Sequence, residues 1–266
     1  VQQFPGNAMI LNIIGAIHFG LENYEDAIAN YKKAAELRYD FAEAHYNLGN
    51  VLKRLGRYQE AVASYNKAIA CNSSHAEAHY NLGNVFNDLR RFEEALKSYN
   101  KAIEFKPEYV KAYNNLGNAF NDFGQYEEAI TNYKKAIELK PDFSESYINL
   151  ANIFSELGQY EEAIVSYNKA IELTPNFTEA YNNFGNALKD IGKYNEAITA
   201  YNKAIELKPN LAALHFNLGN ILLNLGKSQE AIWSYQKAIE LDPEYALAYS
   251  SLGNILKSLN RTDDAE

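Results

Sequence analysis

The chain has 266 residues, with 34 acidic against 25 basic side chains and a formal net charge of −9. That balance argues against a surface that grips nucleic-acid phosphates, and no apolar run reaches the roughly 18 residues a membrane-spanning helix needs. One cysteine, Cys71, excludes an internal disulfide and is consistent with a reducing compartment such as the cytoplasm.

Residues 1–7 read as a lead-in or the end of a preceding repeat. Pro5 falls on the slot that prolines occupy at the end of later repeats. From Ala8 onward the chain is self-similar with a period of 34 residues. Gly15, Gly49, Gly83, Gly117, Ala151, Gly185, Gly219 and Gly253 share one slot. Ala27, Ala61, Ala95, Ala129, Ala163, Ala197, Ala231 and Ala265 share a second, and Ala34, Ala68, Ala102, Ala136, Ala170, Ala204 and Ala238 a third. Small residues at fixed spacing place helix backbones in close approach. Seven full repeats start at Ala8, Ala42, Ala76, Val110, Ser144, Thr178 and Ala212, and a truncated eighth runs from Ala246, so residues 8–266 read as a single repeat domain.

The repeat at Ala42 shows the pattern. His45, Leu48, Leu52 and Leu55 recur at three- and four-residue steps and predict a helix, and Gly56 supplies its stop. Tyr58, Ala61, Val62, Tyr65, Ala68, Ile69 and Cys71 predict a second helix. Cys71 takes a slot that leucine fills in most other repeats and is expected to be a small buried apolar group. Later second helices end before Pro107, Pro141, Pro175, Pro209 and Pro243. Arg90 replaces the turn glycine, which predicts backbone strain there. Ser73 replaces the proline, and Ser228 replaces the aromatic residue that opens the second helix. A helix hairpin of this kind cannot bury its apolar stripe alone, so consecutive hairpins must stack into a solenoid.

The period and the pattern Leu48-Gly49, Tyr58, Ala61, Tyr65, Ala68 with a terminal proline resemble the tetratricopeptide repeat. The resemblance covers nearly the whole chain. It implies an all-α right-handed superhelix of tandem helix-turn-helix repeats, with the first helix of each hairpin lining a concave wall.

Two asparagines recur in the first helix. One row is Asn47, Asn81, Asn115, Asn149, Asn183 and Asn217. The other is Asn50, Asn84, Asn118, Asn152, Asn186, Asn220 and Asn254. Mid-helix asparagine costs up to about 0.7 kcal/mol relative to alanine. At roughly 100° per residue both rows fall on the polar stripe, away from Leu48, Leu52 and Leu55. An amide offers an acceptor and two donors, so regular rows can read the backbone of an extended peptide. Bonds between adjacent helices are the alternative, above all for the row beginning at Asn50. The first row also resembles the asparagine ladder in the repeat region of O-linked N-acetylglucosamine transferases, where the ladder holds the backbone of protein substrates.

Glu77, Glu145 and Glu179, with Asp88, Asp122, Glu156 and Asp190, form an acidic rim to the expected groove. The rim favours a neutral or basic partner. The stripe lacks the lysine and arginine cluster of chaperone-binding members of the family, which hold an acidic C-terminus. His75 and His79 are four residues apart but lack a third metal ligand. No catalytic constellation, metal set or cofactor motif is read. The expected function is therefore protein–protein binding of an extended segment, not an enzyme activity, with no nucleic acid or membrane as partner. Two alternatives are a substrate-recruiting arm of a larger glycosyltransferase, which flanking sequence would decide, and a scaffold that self-associates through its uncapped C-terminal end. The scaffold predicts that the asparagine rows can be lost without effect while the end helices cannot.

Overall fold

A computed structural model of the chain describes residues 7–263. Residues 1–6 of the lead-in, with Pro5, and Ala265 lie outside the described residues. Among those described, all regular structure is helical and falls into two compact units that divide between Pro141 and Asp142. The first unit holds α1 (Ala8–Gly20), α2 (Tyr24–Leu37), α3 (Ala42–Arg54), α4 (Tyr58–Cys71), α5 (Ala76–Asp88), α6 (Phe92–Phe105), α7 (Val110–Asp122) and α8 (Tyr126–Leu139). The second holds α9 (Ser144–Glu156), α10 (Tyr160–Leu173), α11 (Thr178–Asp190), α12 (Tyr194–Leu207), α13 (Ala212–Asn224), α14 (Ser228–Leu241) and α15 (Ala246–Asp263).

Each odd-numbered helix from α1 to α13 ends in a tight reversal made by its own sequence. The Gly56 N–H reaches the Lys53 carbonyl at 3.0 Å, and the Arg57 N–H reaches the Leu52 carbonyl at 2.9 Å. This bonding pattern requires a left-handed residue at the first of the two positions, and Gly56 has φ +71. Arg90 takes φ 58 in the same slot, with its N–H on the Asn87 carbonyl at 2.9 Å, so the strain expected there is present. Glu22 also occupies this slot and adopts φ 60. The sequence reading passed over it.

Within each hairpin the packing is built around one tyrosine. Tyr31, Tyr65, Tyr99, Tyr133, Tyr167, Tyr201 and Tyr235 are at most 2% exposed. The glycine slot explains how the ring fits. A Cβ on Gly49 would lie 2.6 Å from the Tyr65 ring, and one on Gly117 would lie 2.6 Å from the Tyr133 ring. The alanines at 27, 61 and 95, fully buried, let the second helix close onto the first. Leu48, Val51 and Leu52 carry the core of the first unit from one hairpin to the next, beside Leu82, Val85 and Phe86. Leu218, Ile221 and Leu222 do the same in the second unit.

Cys71 departs from its expected burial: it is exposed. Its slot lies at the last residue of the second helix, on the outer margin, where Leu37 and Phe105 are also exposed.

Burial by the core raises the pKa of Tyr31, Tyr65, Tyr99, Tyr167, Tyr201 and Tyr235. Tyr31 and Tyr167 are pushed up to about 12, with desolvation the largest cause, and Tyr65, Tyr99 and Tyr201 are raised further. The phenols therefore stay neutral in the folded chain. A group whose folded pKa lies above its unfolded value of 10.0 contributes stability that is complete below pH 10 and is lost as pH rises through the folded value. Stability is thus expected to hold to about pH 9 and to fall steeply above pH 10. Ultraviolet absorbance should show these tyrosinates appearing only as the helical signal is lost. Ionisation of all phenols near pH 10 with the helices intact would contradict the arrangement.

Candidate functional site

The asparagines expected to line a groove are placed by the same hairpins. Asn47, Asn81, Asn115, Asn149, Asn183 and Asn217 are half-buried, as are Asn50, Asn84, Asn118, Asn152, Asn186 and Asn220. Asn254, in the last helix, is exposed.

The second row is held by the buried tyrosine of its own hairpin. The Tyr65 hydroxyl donates to Asn50 Oδ1 at 2.8 Å, Tyr99 to Asn84 at 2.8 Å, and Tyr133 to Asn118 at 2.7 Å. In the second unit Tyr167 donates to Asn152 at 2.6 Å, Tyr201 to Asn186 at 2.6 Å, and Tyr235 to Asn220 at 2.8 Å. A neutral phenol needs an acceptor when buried, and the asparagine directly after the glycine slot supplies it.

The first row reaches back to the preceding repeat. Asn81 Nδ2 donates to Asn50 Oδ1 at 3.0 Å and to the Tyr46 hydroxyl at 3.1 Å. Asn115 Nδ2 donates to Asn84 Oδ1 at 2.8 Å and to the Tyr80 hydroxyl at 3.0 Å. Asn183 Nδ2 donates to Asn152 Oδ1 at 3.1 Å. Asn47 and Asn217 instead use Asn12 and Asn182, at 3.1 and 3.0 Å. Both rows thus make bonds between helices, the alternative left open for them in the sequence. These bonds take up donors of the first row and acceptors of the second.

Each unit holds a polar hollow lined by members of both rows. In the first unit Lys53, Asn84, Asn87, Asp88, Tyr99, Asn115 and Asn118 line a cavity of about 290 Å³. In the second, Asn152, Ser155, Glu156, Tyr160, Tyr167, Asn183, Asn186, Ala187 and Asp190 line one of about 340 Å³. Asn87, Asn121 and Ser155 form a third polar position, three residues beyond the second row, that the sequence reading missed. The Asn87 and Asn121 Oδ1 atoms are buried and have no hydrogen-bond partner within the chain. Their repeat spacing was the available signal, but the other repeats carry Phe19, Lys53, Ser155, Lys189, Leu223 and Lys257 in that slot, and the pattern is broken.

Of the rim residues, Asp88, Asp122, Glu145, Glu156, Glu179 and Asp190 are exposed. Glu77 is half-buried and taken up by Lys106 at 2.9 Å, which holds its carboxyl below the usual carboxylate range. Asp190 pairs with its neighbour Lys189 at 3.2 Å. His79 bonds the Ser73 carbonyl at 3.0 Å. Among the described residues no group of three His, Cys, Asp or Glu side chains converges. No helix among them is long and apolar enough to cross a membrane.

Comparison with known proteins agrees with this architecture. No curated protein shows significant sequence similarity. The crystal structure of YrrB, described as a TPR protein with an unusual peptide-binding site, is 27% identical and superposes with a TM-score of 0.62. That match covers 71% of this chain and 98% of YrrB. The crystal structure of MamA is 28% identical, with a TM-score of 0.58, over 60% of this chain and 94% of MamA. A tetratricopeptide repeat protein from Parabacteroides merdae, 20% identical with a TM-score of 0.67, covers 94% of this chain and 98% of its own, and speaks for the fold alone. The sequence profile of the TPR repeat matches residues 15–56, 49–89, 83–122, 117–158, 151–192, 185–226 and 219–260. An all-helical stack of tandem hairpins with that profile from one end to the other is a protein-interaction or scaffold module, and the chain belongs to the tetratricopeptide repeat family.

Proposed function

We propose that the chain binds an extended, neutral or basic protein segment along its odd-numbered helices, with the asparagine rows holding the backbone of that segment. The observation that carries this reading is the pair of hollows in which both rows meet, one in each unit. A carbonyl oxygen accepts two bonds and an amide donates two, so carboxamides braced against their own repeat still offer groups to a ligand. Bracing also fixes their orientation beforehand, which lowers the ordering cost of binding. The exposed Asp88, Asp122 and Glu156 disfavour an acidic segment. YrrB, whose structure is described by its peptide-binding site, supports the same reading by likeness.

The test is a triple change, Asn115, Asn149 and Asn183 each to alanine. Each net hydrogen bond to the ligand is worth about 0.5–1.5 kcal/mol. Loss of three lowers affinity for a segment selected from a random peptide library on the wild-type chain by about a hundredfold, a shift of about 2.7 kcal/mol. Binding is measured at a temperature where circular dichroism shows both proteins fully helical. Unchanged affinity, or a library that yields no binder, removes the reading.

A further inference from the structure

The acidic residues at the ends of the first helices stand on the wrong side of the helix dipole. Arg54 closes α3, as the negative end of a helix favours, but Asp88 closes α5 and Asp122 closes α7. Among the described residues no basic side chain lies within ion-pair distance of either aspartate, and the residue before each is an asparagine whose buried Oδ1 lacks a partner. At the negative end of each of these two helices an amide oxygen without a donor thus stands next to a carboxylate in the chain.

The chain supplies a partial answer for one of the two. Lys53 of α3 lines the same 290 Å³ cavity as Asn87 and Asp88. Burial draws its pKa down while the charge on Asp88 draws it up. One repeat later the same register places Asn87 relative to Asp122 as Lys53 stands to Asp88. The internal cation is therefore missing at Asp122. An amide oxygen without a partner occupies its slot, and Asn121 beside Asp122 adds another.

We propose that Asn87, Asn121 and Asp122 form a subsite for the guanidinium or ammonium group of a basic side chain carried by the bound segment. The subsite rests on the groove reading above and gives it a chemical preference at one position. A guanidinium has five N–H donors in a planar fork, enough to serve the carboxylate and both amide oxygens. Lys53 marks the place such a group takes, because it occupies the equivalent place for Asp88.

The experiment titrates N-acetyl-arginine methylamide into the isotope-labelled chain and follows the side-chain amide resonances of Asn87 and Asn121. N-acetyl-citrulline methylamide, neutral and nearly the same shape, is the control. The arginine compound is expected to shift both resonances saturably and to bind at least tenfold more tightly than citrulline. Asn87→Lys should weaken arginine binding tenfold or more without lowering the melting temperature, since lysine already occupies that slot at Lys53 and Lys189. Lys53→Asn should open a second site beside Asp88. Equal binding of the two compounds, or full arginine binding by Asn87→Lys, overturns the subsite. Loss of the library-selected segment's dependence on Asn115, Asn149 and Asn183 with arginine binding intact would instead remove the groove reading and leave the subsite standing.

Discussion

Tyr99→Ala is expected to cost about 3–5 kcal/mol, within the range for deleting a buried aromatic side chain. The ring is 1% exposed and sits over Gly83, where an added Cβ would be 2.7 Å away. The position facing the ring is a glycine, so no side chain there can fill the space. The melting temperature should fall by about 10 °C, at the few degrees per kcal/mol usual for chains of this size. Tyr99→Phe separates ring from hydroxyl. It keeps the packing and removes one donor from Asn84 Oδ1, which retains the bond from Asn115 at 2.8 Å. Its cost is expected near 1 kcal/mol. Urea melts followed by circular dichroism measure both, and similar costs for the two variants would contradict the arrangement.

Gly117→Val presses the same contact from the other side. The Cβ would stand 2.6 Å from the Tyr133 ring, and valine adds two further methyl groups. Tyr133 is 1% exposed and tied by its hydroxyl to Asn118 at 2.7 Å, so the ring cannot swing away without giving up that bond. Overpacking of this kind costs about 1–3 kcal/mol for smaller intrusions, and valine at this point is expected to exceed that range. Gly117→Ala is the informative companion. Glycine in a helix gives up about 1 kcal/mol against alanine, which here works in favour of the variant. Steric pressure on the ring works against it. Ala151 fills the same slot fully buried, so the fold absorbs one methyl group in that repeat. Alanine at 117 should therefore cost no more than about 1 kcal/mol, against more than 3 for valine. A stability gain for either variant would mean that the ring is not held as described.

The period, the two helices in each full repeat and the reversals between them were legible in the sequence, because a small set of residue types does the same work seven times. Helices start at Ala8, Ala42, Ala76, Val110, Ser144, Thr178, Ala212 and Ala246, the residues from which the repeats were counted. Arg90 could be singled out because it broke a glycine series, whereas Glu22 lies in the first repeat, before that series is established. The role of the second asparagine row was harder to read. Its partner is the tyrosine fifteen residues on, and only the structure shows that the hydroxyl passes over the glycine to reach the amide. The acidic rim was legible as charge but not as pairing: Lys106 comes to Glu77 from the far end of the following helix. The third polar position escaped because asparagine, serine and lysine share a slot by geometry and not by type.

The links between repeats also have a direction. The first-row amides Asn47, Asn81, Asn115, Asn183 and Asn217 each give an N–H to an oxygen of the repeat before it. Peeling away an early repeat strips the next one of an acceptor and strands a donor, whereas peeling away a late repeat leaves behind an oxygen that the tyrosine still serves. Loss of an early repeat therefore bares donors to water and loss of a late one bares acceptors, so the faces left at the two ends differ in what they can bind.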